Sequence, residues 1–209
     1  MIRREVEGRL WTLVLDRPEK ANSLTRAMLG NLLAHLTAAE GQADALILTG
    51  TGRVFSAGAD LDEARAGLAT DPIWEEVSGK LATLPCLTIA ALNGTLAGGA
   101  FGMALACDIR LAVPAARFFY PVMKLGYLPQ PSDPGRLAAL VGPGRARFLL
   151  MGGAKIVAEE ALEWGLVDRL CPAEGLLAAA RELSADACAA PDGHAGRIKA
   201  IVPRIWSQA

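Results

Sequence analysis

Two glycine-bearing segments, Phe55-Ser56-Ala57-Gly58-Ala59-Asp60 and Leu96-Ala97-Gly98-Gly99-Ala100-Phe101-Gly102, each follow an apolar run that reads as a strand. This repetition restricts the fold more than any other feature of the chain. A short continuous apolar run closed by a turn fits a strand buried on both faces, as in a parallel sheet. Ala45-Leu46-Ile47-Leu48, closed by Thr49-Gly50-Thr51-Gly52, is one such run; Leu87 to Leu92, closed by Asn93-Gly94, is another. Gly98-Gly99-Ala100 at a helix start presents free N–H groups with no bulky side chain over them. For that loop alone, tight helix packing is an equally good reading. A second loop of the same build, Ser56-Ala57-Gly58-Ala59, favours the donors, because such turns in adjacent βαβ units lie side by side where ligands bind. Together they can aim two N–H groups at one acyl oxygen, which is an oxyanion hole.

The remaining periodicity fills in the frame. Glu5-Val6 and Trp11 to Leu15, separated by Gly8, predict a hairpin ending at Asp16-Arg17-Pro18. From Ser23, the apolar positions Leu24, Met28, Leu32 and Leu36 with Leu29 and Leu33 predict an amphipathic helix capped by Asn22 or Ser23. Asp60-Leu61-Asp62-Glu63 places carboxylates in a first helical turn, where the helix dipole favours them. Further helices are expected near Trp74–Leu84, Gly98–Cys107, Gly135–Val141, Gly144–Met151, Val157–Trp164 and Ala173–Cys188. Ile109–Val113, Phe118–Tyr120 and Val167–Leu170 are strand candidates, and Ala185–Gly196 reads as a loop between the final two helices. Strands alternating with helices imply an α/β fold with a mostly parallel sheet covered by helices. No internal repeat or low-complexity linker is visible. The 209 residues suit a single domain, 1–209, with a core over about 1–172 and a helical tail over about 173–209.

Composition narrows the class. Hydrophobic residues make up 52% and charged residues 21%, enough for a packed core. A net charge of −1 without a local Lys/Arg cluster argues against a nucleic-acid partner. Cys86, Cys107, Cys171 and Cys188 are widely spaced, form no CxxC pair and have only His35 and His194 to assist them, so reduced thiols in the cytoplasm are expected and no metal. The amino terminus lacks an apolar stretch after its arginines, giving no expectation of a signal peptide. Leu81 to Cys107 carries no charge, but Pro85, Asn93, Gly94, Gly98, Gly99 and Gly102 break it up, so a membrane span is not expected.

Three stretches carry a resemblance. Asp16-Arg17-Pro18-Glu19-Lys20-Ala21-Asn22-Ser23-Leu24, Leu48 through Leu61, and Ala91 through Gly99 on to Cys107-Asp108-Ile109-Arg110 are similar to the enoyl-CoA hydratase/isomerase, or crotonase, superfamily, over about residues 10–172. The resemblance implies a crotonase-like spiral of ββα units, here with a shortened C-terminal helical region. It implies an acyl-CoA substrate, with coenzyme A as part of that substrate and no permanently bound cofactor. By the same likeness the N–H groups of Ala59 and Gly99 hold the thioester oxygen. Lys20, Ala21 and Asn22, with Ala57, Gly58, Asp60 and Leu61, run along the CoA nucleotide and pantetheine.

The departures from the family pattern matter as much. Its two hydratase glutamates fall on Gly102 and Val122, neither of which moves a proton, so efficient hydration is not expected. The following loop, Gly126 to Gly135, offers Asp133 and Tyr127 as proton-handling groups. Asp133 before Pro134-Gly135 also suits an N-cap or turn, and Tyr127 also suits a pocket wall. Family members usually continue past the position of Gln208-Ala209, and the early stop weakens the expected homo-oligomer, a trimer or hexamer. No nucleophile–His–acid set accompanies Ser56. The expectation is a lyase, isomerase, hydrolase or decarboxylase acting on acyl-CoA through an enolate; the alternative is a non-catalytic acyl-CoA binder of the same fold.

Overall fold

The computed structural model describes residues 1–202. The last part of the predicted tail, including Gln208-Ala209, lies outside the described residues. The chain opens with strands β1 (Ile2–Glu7) and β2 (Leu10–Leu15), then helix α1 (Arg26–Ala39). Three coils follow, each of two strands and helical structure. They are β3 (Ala45–Gly50), β4 (Val54–Ser56), α2 (Leu61–Arg65) and α3 (Ile73–Thr83); β5 (Leu87–Leu92), β6 (Thr95–Ala97) and α4 (Phe101–Ala106); and β7 (Ile109–Ala112), β8 (Arg117–Phe119), α5 (Val122–Leu125), α6 (Asp133–Val141) and α7 (Pro143–Leu150). β9 (Lys155–Val157), α8 (Ala158–Glu163), β10 (Arg169–Leu170), α9 (Leu176–Ala189) and α10 (His194–Ile201) complete the described chain.

Within each coil the first strand joins one sheet and the second strand another. The larger sheet runs β1-β2-β3-β5-β7-β10 and the smaller β4-β6-β8-β9. Pairing is parallel from β2 to β10 and from β4 to β8, with antiparallel partners only at β1 and β9. The expectation of one mostly parallel sheet is therefore corrected to two. A repeat that the residues do not show is present in the architecture as a ββα spiral. The second strands escape periodicity analysis because β4, β6 and β8 are each three residues long.

Burial follows the apolar pattern. Leu46, Ile47 and Leu48 of β3 and Ile89, Ala90 and Ala91 of β5 are fully buried, as a strand covered on both faces requires. Leu29, Leu32 and Leu36 of α1 are equally buried, and each such leucine contributes about 1.5–3 kcal/mol relative to exposure. The cap of α1 differs from the expectation. Thr25 accepts from the Met28 N–H at 3.1 Å, while Asn22 and Ser23 serve the preceding loop. His35 is half-buried rather than on the open face, and desolvation lowers its pKa. The predicted loop at 185–196 shrinks, since α9 continues to Ala189 and α10 begins at His194. No helix among the described residues is long and apolar enough to cross a membrane.

Candidate active site

The two glycine loops meet where β4 and β6 end, on neighbouring strands of the smaller sheet. Gly58 has φ +91°, and a Cβ there would sit 2.9 Å from the Ala97 carbonyl and 3.4 Å from the Gly99 nitrogen. Glycine is required at 58 both for its conformation and for this contact. The Leu24 N–H donates to Gly58 O and the Asp60 N–H to Leu24 O, both at 2.8 Å, in a parallel bridge that leaves the intervening Ala59 N–H out. Gly99 lies in the first turn of a 3-10 segment, Gly98–Ala100, whose leading N–H groups have no partner within the helix. Neither N–H takes part in the hydrogen bonds of the surrounding turns. Ala57, Ala59, Gly98 and Gly99 line one cavity of about 200 Å³. Trp74 of α3 backs Gly99, its ring 3.3 Å from where a Cβ would stand, and its indole N–H is held by Leu68 O at 2.8 Å.

One side of this cavity adjoins the loop Asp16–Leu24, which is fastened to residues 56–60 throughout. Ala57 N–H donates to Ala21 O and Ser56 Oγ donates to Asn22 O. Ser56 is wholly buried, and its oxygen also accepts from the Gly58 N–H, so its hydroxyl is structural. Asn22 is buried with φ 51°; its Oδ1 accepts from Arg17 N–H at 2.8 Å, and its amide donates to Thr51 O and Val54 O. Asp60 caps α2 and pairs with Arg17 at 2.8 Å. The Arg17 guanidinium holds the Asp60 carboxyl below the usual carboxylate range, and N–H groups of Asp62 and Glu63 add to the effect. Lys20, Ala57 and Leu61 remain exposed beside the stitched core. Of the residues expected to hold coenzyme A, Ala57 and Leu61 line the cavity; Lys20, Ala21, Asn22, Gly58 and Asp60 build the loops next to it.

The opposite wall is apolar. Pro121, Val122, Leu125, Tyr127 and Leu128 line it, and Leu125 and Leu128 are 56% and 86% exposed. Val122, Tyr127 and Leu128 also border a second apolar cleft of about 550 Å³ that runs on to Ala146, Leu150 and Met151. Tyr127 is a wall residue with its side chain partly in solvent.

Asp133 closes a turn, its N–H donating to Gln130 O at 3.0 Å, while Ser132 rather than Asp133 takes the cap position of α6. It is the first residue of α6 behind Ser132 in the cap position, is 1% exposed and does not line the cavity. Tyr120, which does line it, donates its hydroxyl to Asp133 Oδ2 at 2.8 Å and accepts from the Gln130 N–H at 3.3 Å. Burial raises the Asp133 carboxyl to about 7, against the lowering effect of Tyr120 and Arg136. The same burial raises the Tyr120 phenol. Gln130 Nε2 reaches Ala69 O, and Glu75 of α3 accepts from Ser132 N–H and Oγ–H, so the loop before α6 is tied down. Tyr120, Trp74 and Gln130 were not singled out from the sequence; Tyr120 reads there only as the end of a short strand.

A larger cleft of about 570 Å³ lies elsewhere, between α9, α10 and the β5–β7 side of the larger sheet. Lys199 there pairs with Asp108, and Arg110 with Asp168, Leu166 O and Cys107 O. Burial pushes the Cys86 and Cys107 thiols there up to about 12, far from thiolate chemistry at neutral pH. The glycine-loop cavity has two backbone N–H groups, of Ala59 and Gly99, that the surrounding turns do not engage.

Comparison with known proteins agrees with this geometry. The profile of the enoyl-CoA hydratase/isomerase family matches residues 5–208. A Rhodobacter capsulatus protein named "Probable enoyl-CoA hydratase" is 36% identical over 176 residues, covering 82% of this chain and 68% of its own. Among solved structures, an enoyl-CoA hydratase from Bacillus anthracis superposes with a TM-score of 0.88 at 32% identity, covering 95% of this chain and 81% of that one. An enoyl-CoA hydratase/isomerase from Pseudoalteromonas atlantica superposes at 0.89 with 27% identity, covering 96% and 82%. The spiral of two parallel sheets, the touching glycine loops and these likenesses lead to one conclusion: the chain belongs to the enoyl-CoA hydratase/isomerase family and has the crotonase fold.

Proposed function

We propose that this protein transforms an acyl-CoA thioester through an enolate whose oxygen is held by the N–H groups of Ala59 and Gly99. The observation that carries the reading is the contact of Gly58 with Gly99 beside two N–H groups not used by the surrounding turns, in one cavity. An enolate oxygen gains charge in the transition state, and fixed dipoles meet it without reorganising; one such donor is worth about 3 kcal/mol. Coenzyme A arrives as part of the substrate, along Lys20, Ala21, Asn22, Ala57 and Leu61, and no resident cofactor is invoked. The acyl group extends along Val122, Tyr127 and Leu128. With Gly102 and Val122 at the two hydratase positions, the chemistry is isomerisation, hydrolysis or another lyase step rather than efficient hydration. A soluble, cytoplasmic homo-oligomer without nucleic-acid or membrane partners fits this reading.

A non-catalytic acyl-CoA binder is the second reading, favoured by one observation: among the described residues, no carboxylate lines the cavity. A crystal structure with a ketone analogue of hexanoyl-CoA, in which a methylene replaces the thioester sulfur and the carbonyl is kept, combined with turnover assays on unsaturated, β-hydroxy and malonyl-type acyl-CoAs, separates the two. Turnover with the analogue oxygen between residues 59 and 99 supports the enzyme. The same pose without turnover supports the binder, and no binding overturns both.

A further inference from the structure

Asp133 presents an unusual combination. It is buried, its Oδ2 accepts from Tyr120, and among the described residues its Oδ1 has no hydrogen-bond partner. An unpaired buried carboxylate oxygen costs stability and calls for a reason. Its position supplies one. A Cβ at Gly102 would stand 2.7 Å from Asp133 Oδ1, so the carboxylate occupies the space that a side chain at 102 would take. Side chains on a helix lean toward its N-terminus and cover the preceding turn. Positions 99 and 102 are three apart and share a face. The spot that a residue-102 side chain would cover is therefore the turn containing Gly99. The Asp133 carboxylate enters the path to that spot from another helix, through the gap that glycine leaves, and stands behind Tyr120, which lines the cavity while Asp133 does not.

We propose that Asp133 is the base that removes the proton from the acyl α-carbon and that Tyr120 is its positioning residue, with Gly102 kept bare to admit the carboxylate. This rests on the acyl-CoA reading. The α C–H bond breaks, its electron pair passes into the enolate held at Ala59 and Gly99, and the proton forms an O–H bond on Asp133 Oδ1. The acid so formed returns the proton to the same carbon or to the γ-carbon, which balances an isomerisation without a co-reactant. Tyr120 fixes the carboxylate by donating to Oδ2, and Gln130 N–H fixes the phenol in turn. The groups facing Asp133 are Tyr120 of the segment after β8, Arg136 of its own helix and Glu75 of α3. Tyr120 and Arg136 favour its ionised form, and Glu75 opposes it.

The test uses the full chain and two probes. Binding of hexanoyl-CoA is measured by calorimetry, and exchange of its α-protons in D₂O is followed by NMR between pH 5 and 9. Exchange is expected with Asp133 intact and is expected to fall by about 10²- to 10⁴-fold in Asp133→Asn with affinity unchanged. Tyr120→Phe removes a hydrogen bond that favours the carboxylate, so the midpoint of the pH profile should move upward by about one unit. Gly102→Ala puts a methyl against Oδ1 and should depress exchange while hexanoyl-CoA still binds. Undiminished exchange in Asp133→Asn, or an unmoved profile in Tyr120→Phe, overturns the proposal. Binding without exchange in the unsubstituted chain also overturns it and leaves the binder reading; absent binding instead removes the acyl-CoA reading itself.

Discussion

Along residues 16–24 and 56–60, backbone and side-chain groups are cross-linked by hydrogen bonds, from Ala57 N–H on Ala21 O to Arg17 on Asp60. Along residues 121–128 the wall is mostly apolar, with Val122 buried and Met123, Leu125 and Leu128 more than half in solvent. The first wall is held by directional bonds that tolerate little change, because losing either partner strands the other. The second is held by contact area, which accommodates substitution. On the proposed function, such a molecule keeps its donors fixed while a softer surface selects the group they act on.

Asp133 is the exception on the softer side, and the largest effect is expected there. Its carboxyl lies near 7 in the folded protein and near 3.8 unfolded, so below about pH 4 it is neutral in both states and costs nothing. As pH rises the unfolded chain ionises first, and stability is lost until the folded-state value is passed. The loss amounts to about 4 kcal/mol at most. Urea denaturation should show Asp133→Asn gaining on the unsubstituted protein between pH 5 and pH 8. A constant difference across that range would mean the carboxyl is not held neutral.

Breaking the stitched wall comes next. Asn22→Ala leaves Arg17 N–H and Thr51 O without their partner and Val54 O with the Asn93 amide alone, and it should cost about 3 kcal/mol in denaturant unfolding. It should also weaken hexanoyl-CoA binding, since the register of Ala21 with Ala57 and of residue 22 with Ser56 is loosened. Retained stability would show that the loop is fastened by its backbone bonds alone.

The smallest change in stability is expected on the apolar wall. Leu128→Ser, at 86% exposure, should alter the unfolding free energy by no more than about 0.5 kcal/mol. It should nonetheless weaken binding of dodecanoyl-CoA more than that of butyryl-CoA. An equal effect on both would remove the acyl group from this wall.

Legibility in the sequence divides along the same line. Gly58, Gly98 and Gly99 are visible because only glycine suits a close approach or a positive φ, and the residues around Asn22 carry the family motif. β3 and β5 show as apolar runs because they are covered on both faces. The smaller sheet is not visible: three-residue strands give periodicity nothing to act on. Asp133 reads as a turn former because Pro134-Gly135 follows, and nothing local says that its side chain turns inward to Tyr120, thirteen positions earlier. Gly102 reads as a missing acid, whereas the structure shows its vacancy filled by a carboxylate from another helix.

The spiral arrangement has one more consequence. Both proposed donor loops come from consecutive coils, the first ending at β4 and the second at β6, so their spacing is inherited from the pairing of two adjacent strands. If the proposed reading holds, substitutions along the apolar wall at residues 121–128 can therefore change which acyl group is admitted without altering the spacing of the two donor loops.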